Sequence, residues 1–223
     1  MWTRLVAGAA AHDINNLAQG LFNLLALASS PTASPEALER YAGLAREGLL
    51  DLKRLAADLR ALSAGDAEVE AQRLDLACLE AHTEVAVPEG RSLEMGPAAV
   101  GVLVRGTGPA VRVALTSVLR YCLAASAAGG RVVSSISGEA AESTVVVDAP
   151  TAPPPRSRDE GSLGALLTGP EREFGGDRGL VLAGAIVRQC GGEIHAGRGP
   201  HGGLRFKLTF VRAEEGPQDV RRV

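Results

Sequence analysis

Ala11-His12-Asp13-Ile14-Asn15-Asn16 lies near the start of the 223-residue chain and places a histidine beside an acid inside a long apolar-periodic segment. At helical spacing, the polar residues of this segment fall in one row: His12, Asn16, Gln19 and Asn23. The apolar residues fall in a second row: Ile14, Leu17, Leu21, Leu24 and Leu25. We therefore predict a helix that buries its apolar face and presents the histidine on its polar face.

Composition and charge limit the class of protein. Lys and Arg total 23 and Asp and Glu total 26, so the formal net charge of -3 gives no general reason to expect a nucleic acid or an anionic membrane as partner. No apolar run reaches the length of a membrane-spanning helix. The cysteines are odd in number and lack the spacing of a zinc site: Cys78, Cys122 and Cys190. We predict a soluble, cytoplasmic protein with reduced cysteines, no metal site, and neither nucleic acid nor membrane as partner.

The first 66 residues predict a helical hairpin domain. The first helix covers 3–29, and the segment 30–35 ends it because its two prolines cannot continue a helix. Ser34, followed by a proline and a glutamate, is a favourable N-cap for a second helix that runs to about residue 62. The near-heptad apolar rows of this helix predict an antiparallel hairpin that pairs with a second copy as a four-helix bundle. Packing onto the rest of the chain would bury the same rows.

From residue 70 onward, short apolar runs alternate with Gly and Pro. Predicted strands cover 74–76, 100–104, 131–137, 143–148, 193–196 and 204–211, and predicted helices cover 109–128 and 180–190. We expect loops at 149–158 and 161–178 and a disordered tail at 213–223. This mixture predicts an α+β fold, in which an α/β sandwich over 70–212 follows the helical hairpin domain 1–66.

Two groups of residues resemble landmarks of bacterial sensor histidine kinases. His12-Asp13-Ile14-Asn15-Asn16-Leu17 resembles the phospho-acceptor box of the dimerisation helices. Gly179-Leu180-Val181-Leu182-Ala183, followed by Gly191-Gly192-Glu193-Ile194, resembles the last glycine box of the ATP-binding domain and the strand after it. The resemblance covers roughly residues 3–212. It implies a dimeric helical hairpin joined to a sandwich of the histidine-kinase ATPase type.

The chain departs from this family at the residues that bind ATP. Where the family has an asparagine that helps to bind magnesium, the aligned residue is Tyr121, and residues 24–223 contain no asparagine at all. Asp148 stands where the family has the aspartate that binds adenine, but Ala149-Pro150-Thr151-Ala152 lacks the two glycines that follow in the family. Ala and Pro do not readily allow the close backbone approach that glycine permits. We therefore interpret Asp148 and Gly179 as the remnant of a nucleotide pocket and expect neither ATP nor magnesium as cofactor.

The resemblance and its departures together predict a histidine phosphotransferase of a bacterial phosphorelay. In this hypothesis His12 takes a phosphoryl group from the aspartate of a response-regulator receiver domain and passes it to a second receiver. Asp13 would accept a hydrogen bond from one ring nitrogen, while Asn16 could instead orient a water for dephosphorylation. Two alternatives stay open: a divergent sensor kinase that phosphorylates His12 from ATP with magnesium, and a non-catalytic pseudokinase that regulates a true kinase through mixed dimers.

Each candidate residue also has a purely structural interpretation. A histidine on a helix is often an ordinary surface residue. Asp148 could be a strand-end acid, and Gly179 could serve only the close packing of a helix on a sheet. The three-dimensional surroundings of these residues decide between the interpretations.

Overall fold

A computed structural model describes residues 2–63, 71–139, 141–156, 160–168, 174 and 177–213. By its internal packing the chain divides into two units, one covering Thr3–Arg60 and one covering the chain from Ala61 onward. Within the described residues, every helix is too short or too polar to span a bilayer.

The N-terminal unit consists of two long helices, α1 (Trp2–Ala28) and α2 (Pro35–Ser63), at the positions that the sequence predicts. Ser34 caps α2, since its Oγ accepts a hydrogen bond from the backbone N–H of Ala37 at 3.2 Å. The proline at the first helical position has no N–H to leave unpaired. Local capping chemistry therefore explains where the second helix begins.

The two helices approach each other at Gly48. A Cβ added to Gly48 of α2 would stand 3.4 Å from Cδ2 of Leu21 in α1, which is van der Waals contact. Large apolar side chains of both helices are nevertheless exposed in the single chain: Ile14, Phe22, Leu25, Leu27, Leu38, Leu44, Leu49 and Leu50. The antiparallel hairpin and the four-helix bundle of two copies stay predictions.

The second unit is an α+β domain. Its described strands are β1 (Ala71–Arg73), β2 (Ser92–Ala98), β3 (Leu103–Arg105), β4 (Arg131–Gly138), β5 (Glu142–Ala149), β6 (Gly161–Ser162), β7 (Glu193–Arg198) and β8 (Leu204–Val211). Its described helices are α3 (Leu74–Glu84), α4 (Gly108–Ala125), α5 (Leu163–Thr168) and α6 (Arg178–Gln189). The main sheet has the order β2-β4-β5-β8-β7-β6, with β2 parallel to β4 and the other neighbours antiparallel. β1 and β3 form a separate antiparallel pair, and the α+β class predicted from the sequence is confirmed.

One face of the main sheet packs against helices. β5 buries every second residue on this side: Ser143, Val145, Val147 and Ala149. Val147 pairs in register with Ser134 of β4 and with Phe206 of β8. Ser134 lies 2.7 Å from Nε2 of His82 in α3, and Phe206 contacts the ring of Tyr121 in α4. We call this side of the sheet the helix face.

The predicted strand at 74–76 is wrong, because these residues form the first turn of α3. Leu74-Asp75-Leu76 shows the alternation of a strand, but only over three residues. The buried positions of the whole element follow helical spacing instead: Leu74, Ala77, Cys78 and Ala81. A negative charge in the first turn, at Asp75, also suits a helix N-terminus.

The predicted loop at 161–178 is also wrong in part, since it contains the short β6 and all of α5. Buried Leu163 and Leu167 lie one turn apart and anchor α5 to the domain. Residues 169–173 and 175–176 lie outside the described part of the chain, as do 157–159 of the predicted loop 149–158. Residues 150–156 form neither helix nor strand, as that prediction requires.

Smaller differences concern strand positions and the tail. β2 was not predicted, because Glu94, Gly96 and Pro97 conceal the strand pattern. The strand predicted at 100–104 lies at Leu103–Arg105. Of the predicted tail, only Ala213 belongs to the described residues, and its N–H donates to the carbonyl of Leu103 at 3.1 Å; residues 214–223 lie outside them. The hairpin of β4 and β5, the helices α4 and α6, and the final pair β7 and β8 confirm the other predictions.

Candidate functional site

His12 presents its imidazole to solvent from the polar face of α1. Its side chain is 72% exposed, which leaves room for a protein partner to reach the ring. The helix itself explains the exposure, because the polar row that contains His12 is offset from the apolar row of the same segment.

Asp13 contacts one nitrogen of this ring. Its Oδ1 lies 3.2 Å from Nδ1 of His12. An ionised carboxylate only accepts hydrogen bonds, so in this contact Nδ1 carries the proton and donates it. This tautomer leaves Nε2 with an unprotonated lone pair, which is the form of imidazole that attacks an electrophile.

Asn16 contacts the same ring from one helical turn further on. Its Nδ2 lies 3.2 Å from Nδ1 and 3.3 Å from Nε2 of His12. Further along the same row of α1, Nε2 of Gln19 donates to Oδ1 of Asn23 at 3.0 Å. The structure thus brings Asp13 and Asn16 to the imidazole of His12, as the sequence analysis supposes for a site.

Tyr121, at the position of the expected magnesium-binding asparagine, belongs to an aromatic cluster. Its ring packs edge-on against Phe174 at a centroid distance of 5.6 Å and against Phe206 at 6.0 Å. Phe174 and Phe206 lie 5.6 Å apart and are buried. Burial raises the pKa of Tyr121 to about 12, and the negative charge of Asp177 adds to the shift. A half-buried neutral phenol is a poor ligand for magnesium, which prefers carboxylate, carbonyl and phosphate oxygens.

Asp148 is engaged by an arginine of the same chain. Nε of Arg205 donates to Oδ1 of Asp148, and the terminal guanidinium nitrogen donates to Oδ2, each at 2.7 Å. This bidentate geometry occupies both carboxylate oxygens. The pKa of Arg205 is raised by its hydrogen bonds to Asp148.

Asp148 also lies on the side of the sheet opposite the helix face. It pairs in register with Arg205, whereas its neighbour Val147 pairs with Phe206 on the helix face. The next helix-face position is Ala149, which is fully buried and whose methyl group forms no hydrogen bond. Gly179 lies near α4, because a Cβ added to it would stand 3.4 Å from Cβ of Ser117. The structure therefore does not bring Asp148 and Gly179 together in one pocket.

The start of α6 is occupied by its own cap. Asp177 accepts a hydrogen bond from the N–H of Leu180 at 2.9 Å, and a Cβ on Gly179 would stand 3.1 Å from the same carboxylate oxygen. In an anion site at a helix N-terminus, the backbone N–H groups and the positive end of the dipole bind phosphate. A carboxylate at this position uses a donor and repels a second anion.

The residues present do not fit a bound ATP with magnesium. The position for the metal ligand holds an aromatic ring, the acid faces away from the helices, and the helix N-terminus carries a negative charge. Within the described residues, no three His, Cys, Asp or Glu side chains converge to hold a metal ion.

The three cysteines are buried free thiols: Cys78, Cys122 and Cys190. Burial raises the pKa of Cys190 to about 11 and that of Cys122 far above its usual range. Thiols with such pKa values are not nucleophiles near neutral pH. They act as small apolar residues, as the sequence predicts.

Several residues that shape these surroundings were not singled out from the sequence. They are Phe174, Asp177, Arg205 and Phe206. The spacing of Val145, Val147 and Ala149 carried a usable signal, because it places Asp148 out of phase with the buried side of its strand. The partners of Asp148 and Tyr121 are distant in sequence, and no local pattern identifies them.

Solved structures of similar fold show the class to which this architecture corresponds. The Acinetobacter baumannii histidine kinase AdeS matches over 92% of this chain and 96% of its own, with a TM-score of 0.58 at 15% identity. The mycobacterial sensor histidine kinase MprB matches over 65% of this chain and 97% of its own, with a TM-score of 0.53 at 14% identity. The ATP-binding domain of PrrB from Mycobacterium tuberculosis matches over 66% of this chain and 99% of its own, with a TM-score of 0.52 at 16% identity.

The chain therefore has the mixed α+β fold of these histidine kinase structures, including the ATP-binding domain of one of them. No protein-family model matches the sequence, and no curated protein matches it either. At these identities the likeness establishes the fold, and the chemistry must be argued from the residues.

Proposed function

We propose that this chain is a histidine phosphotransferase that carries phosphoryl groups between receiver-domain aspartates and His12, and that it has lost ATP binding. One observation carries the proposal. The two residues at the positions expected to bind magnesium and adenine are engaged by other side chains of the chain, Tyr121 by aromatic rings and Asp148 by Arg205, while the imidazole of His12 is exposed and contacts Asp13 and Asn16. An acceptor without its own ATP must obtain the phosphoryl group from another protein.

The proposed reaction uses the tautomer that Asp13 favours. The lone pair of Nε2 of His12 attacks the phosphorus of the receiver's aspartyl phosphate, and the bond from phosphorus to the carboxylate oxygen breaks with its electron pair on that oxygen. The Nδ1 proton stays on the ring, where the carboxylate of Asp13 stabilises the positive charge that develops. Any magnesium in this step belongs to the receiver. Transfer to a second receiver is the reverse of this step.

A homodimer forms part of the proposal. Eight large apolar side chains of α1 and α2 are exposed in the single chain, and a second copy would cover them in a four-helix bundle. Light scattering of the purified chain tests this. A dimer is expected, and substitution of both Phe22 and Leu25 by serine should shift it toward the monomer. A monomer at micromolar concentration would contradict the dimeric arrangement.

The direct test supplies the phosphoryl donor. Receiver domains encoded beside this chain's gene are charged with radiolabelled acetyl phosphate, purified and mixed with the chain. We expect label to move to His12 within minutes, and to be acid-labile and base-stable as a phosphohistidine is. No transfer from any receiver that is itself charged would contradict the proposed function.

The second candidate is an ATP-dependent kinase, which the likeness to ATP-binding domains of histidine kinases favours. Labelled ATP and magnesium added to the chain alone distinguish it, since only a kinase would label His12. A pseudokinase regulator would acquire label from neither ATP nor a receiver. The residues around Tyr121 and Asp148 support the phosphotransferase over the kinase.

A further inference from the structure

Asn16 contacts the ring of His12 in a way that an ordinary in-plane hydrogen bond does not explain. Its Nδ2 lies 3.2 Å from Nδ1 and 3.3 Å from Nε2. A nitrogen at nearly equal distances from both ring nitrogens cannot lie in the ring plane, because it would collide there with Cε1, the carbon between them. The amide therefore lies over the face of the ring, in the arrangement of an N–H···π contact.

A contact with the ring face leaves the in-plane lone pair of Nε2 unused. Asp13 holds the other nitrogen, with 3.2 Å between its Oδ1 and Nδ1. The side chain of His12 is 72% exposed, so an electrophile can approach Nε2 in the ring plane from solvent. The two neighbours thus restrain the ring without blocking the atom that would react.

We propose that Asn16 is a positioning residue, which holds the imidazole of His12 so that Nε2 is directed at an incoming phosphorus. The inference rests on the proposed function and gives Asn16 a role in accepting the phosphoryl group rather than in activating water. A ring held over the amide rotates less freely and therefore loses less freedom on reaching the transition state.

Phosphoramidate, a small phosphoryl donor, tests this role without any receiver. The lone pair of Nε2 forms a new bond to phosphorus, the donor's own phosphorus–nitrogen bond breaks, and ammonia leaves with that electron pair and its three protons. The proton on Nδ1 stays there, hydrogen-bonded to Asp13. No receiver takes part in this step, so its rate depends only on the donor, on His12 and on the surroundings of its ring.

The experiment measures the rate of phosphorylation of the His12 peptide by mass spectrometry, in the full chain and in three variants. We expect Asn16→Ala to lower the rate by about 2- to 5-fold, the size expected for a weak ring contact. Asn16→Asp should lower it by about 5-fold or more, because a carboxylate cannot donate to the ring. Asn16→Gln keeps the amide donor and should recover the rate to within about 2-fold of the unaltered chain.

Asn15→Asp is the matched control. It introduces the same charge one residue away on the same helix and should leave the rate within about 2-fold of the unaltered value. Helix content of every variant is checked by circular dichroism. A rate that drops in Asn15→Asp as far as in Asn16→Asp would assign the effect to charge and overturn the proposal.

The remaining outcomes are equally decisive. Equal rates in all three Asn16 variants and the unaltered chain would overturn the positioning role. Failure of phosphoramidate to label His12 in the unaltered chain would do so too, because Nε2 would then be unavailable. Failure of the proposed function has a different signature: phosphoramidate labels His12 with the expected dependence on Asn16, but no charged receiver does.

Discussion

The surroundings of His12 and those of Tyr121 differ in what occupies them. The ring of His12 is exposed and contacts two small polar side chains of its own helix. The ring of Tyr121 is packed against two other aromatic rings from distant parts of the chain. The first arrangement leaves the ring of His12 accessible from solvent, and the second encloses the ring of Tyr121 among side chains of its own domain. The proposed loss of ATP binding rests on this contrast.

Aromatic residues are scarce in this chain, which makes their placement informative. The sequence has 4 Phe, 2 Tyr and 1 Trp, and three of these rings meet in the one cluster. Aromatic pairs contribute about 0.5–1.5 kcal/mol beyond the area that they bury. The cluster is therefore a source of stability for the domain.

The largest expected effect concerns His12. His12→Ala should abolish transfer from any receiver that labels the unaltered chain, because the accepting nitrogen is gone. His201→Ala, in an exposed turn, is the matched control and should retain full transfer. Label that persists in His12→Ala would show that the reactive group lies elsewhere.

The next effect concerns the aromatic cluster of Tyr121, Phe174 and Phe206. Phe206→Ala removes a fully buried ring from the cluster and should lower the free energy of unfolding by about 3–5 kcal/mol, measured by urea denaturation. Val100→Ala, at a side chain that is 80% exposed, should change it by less than about 0.5 kcal/mol. Similar values for the two variants would show that the cluster is loosely packed, and the surroundings of Tyr121 would then differ less from those of His12.

The pKa of Tyr121 measures how far its ring is shielded from water. With Tyr41→Phe as background, Tyr121 is the only tyrosine and its absorbance can be titrated. Because burial raises its pKa to about 12, most of it should stay neutral at pH 11, where a tyrosine with a pKa near 10 is largely ionised. Circular dichroism at each pH confirms that the chain is folded. Ordinary titration near pH 10 in the folded chain would contradict burial of the ring.

The raised pKa of Tyr121 also determines how the free energy of unfolding changes with pH. The folded pKa of Tyr121 lies above the unfolded one, so its contribution to stability is fully present below about pH 10 and is lost as the pH rises toward 12. Phe174→Ala opens the cluster and should bring the pKa of Tyr121 down toward 10.

The smallest effect concerns the ion pair on the other side of the sheet. Arg205→Ala should lower the free energy of unfolding by about 1 kcal/mol or less, since the pair is partly exposed. Arg188→Ala breaks a more exposed pair with Glu193 and should have no measurable effect. Neither variant should bind ATP, because Asp148 faces away from the helices. Gain of ATP binding in Arg205→Ala would show that the arginine alone had closed a working pocket.

Long periodic segments were the most predictable part of the fold. α1 and α2 extend over many turns, so their apolar rows and the Ser34 cap define them well. The strand prediction for 74–76 was wrong because the pattern of three residues cannot distinguish a strand from the first turn of a helix. β2 failed because its pairing with β4 supplies the stability that its own residues, including Pro97, do not favour.

The two groups of site residues differed in predictability for a related reason. Asp13 and Asn16 lie within one turn of His12, so helical geometry alone brings them to its ring. The surroundings of Asp148 depend on strand register and on Arg205, which is 57 residues away in sequence. Resemblance identified the acid, but only the sheet shows which side it faces. Because side chains alternate along a strand, the positions of Val145 and Val147 in the sequence already place Asp148 on the side opposite the buried face.

Calorimetric titration of the purified chain with ATP and magnesium decides whether this chain binds the nucleotide. We expect no saturable heat at nucleotide concentrations up to about 1 mM, which corresponds to a binding free energy weaker than about -4 kcal/mol. A histidine-kinase ATP-binding domain titrated in parallel provides the positive control. Saturable, magnesium-dependent binding of one ATP per chain in the micromolar range would contradict the claim that this fold has lost its nucleotide.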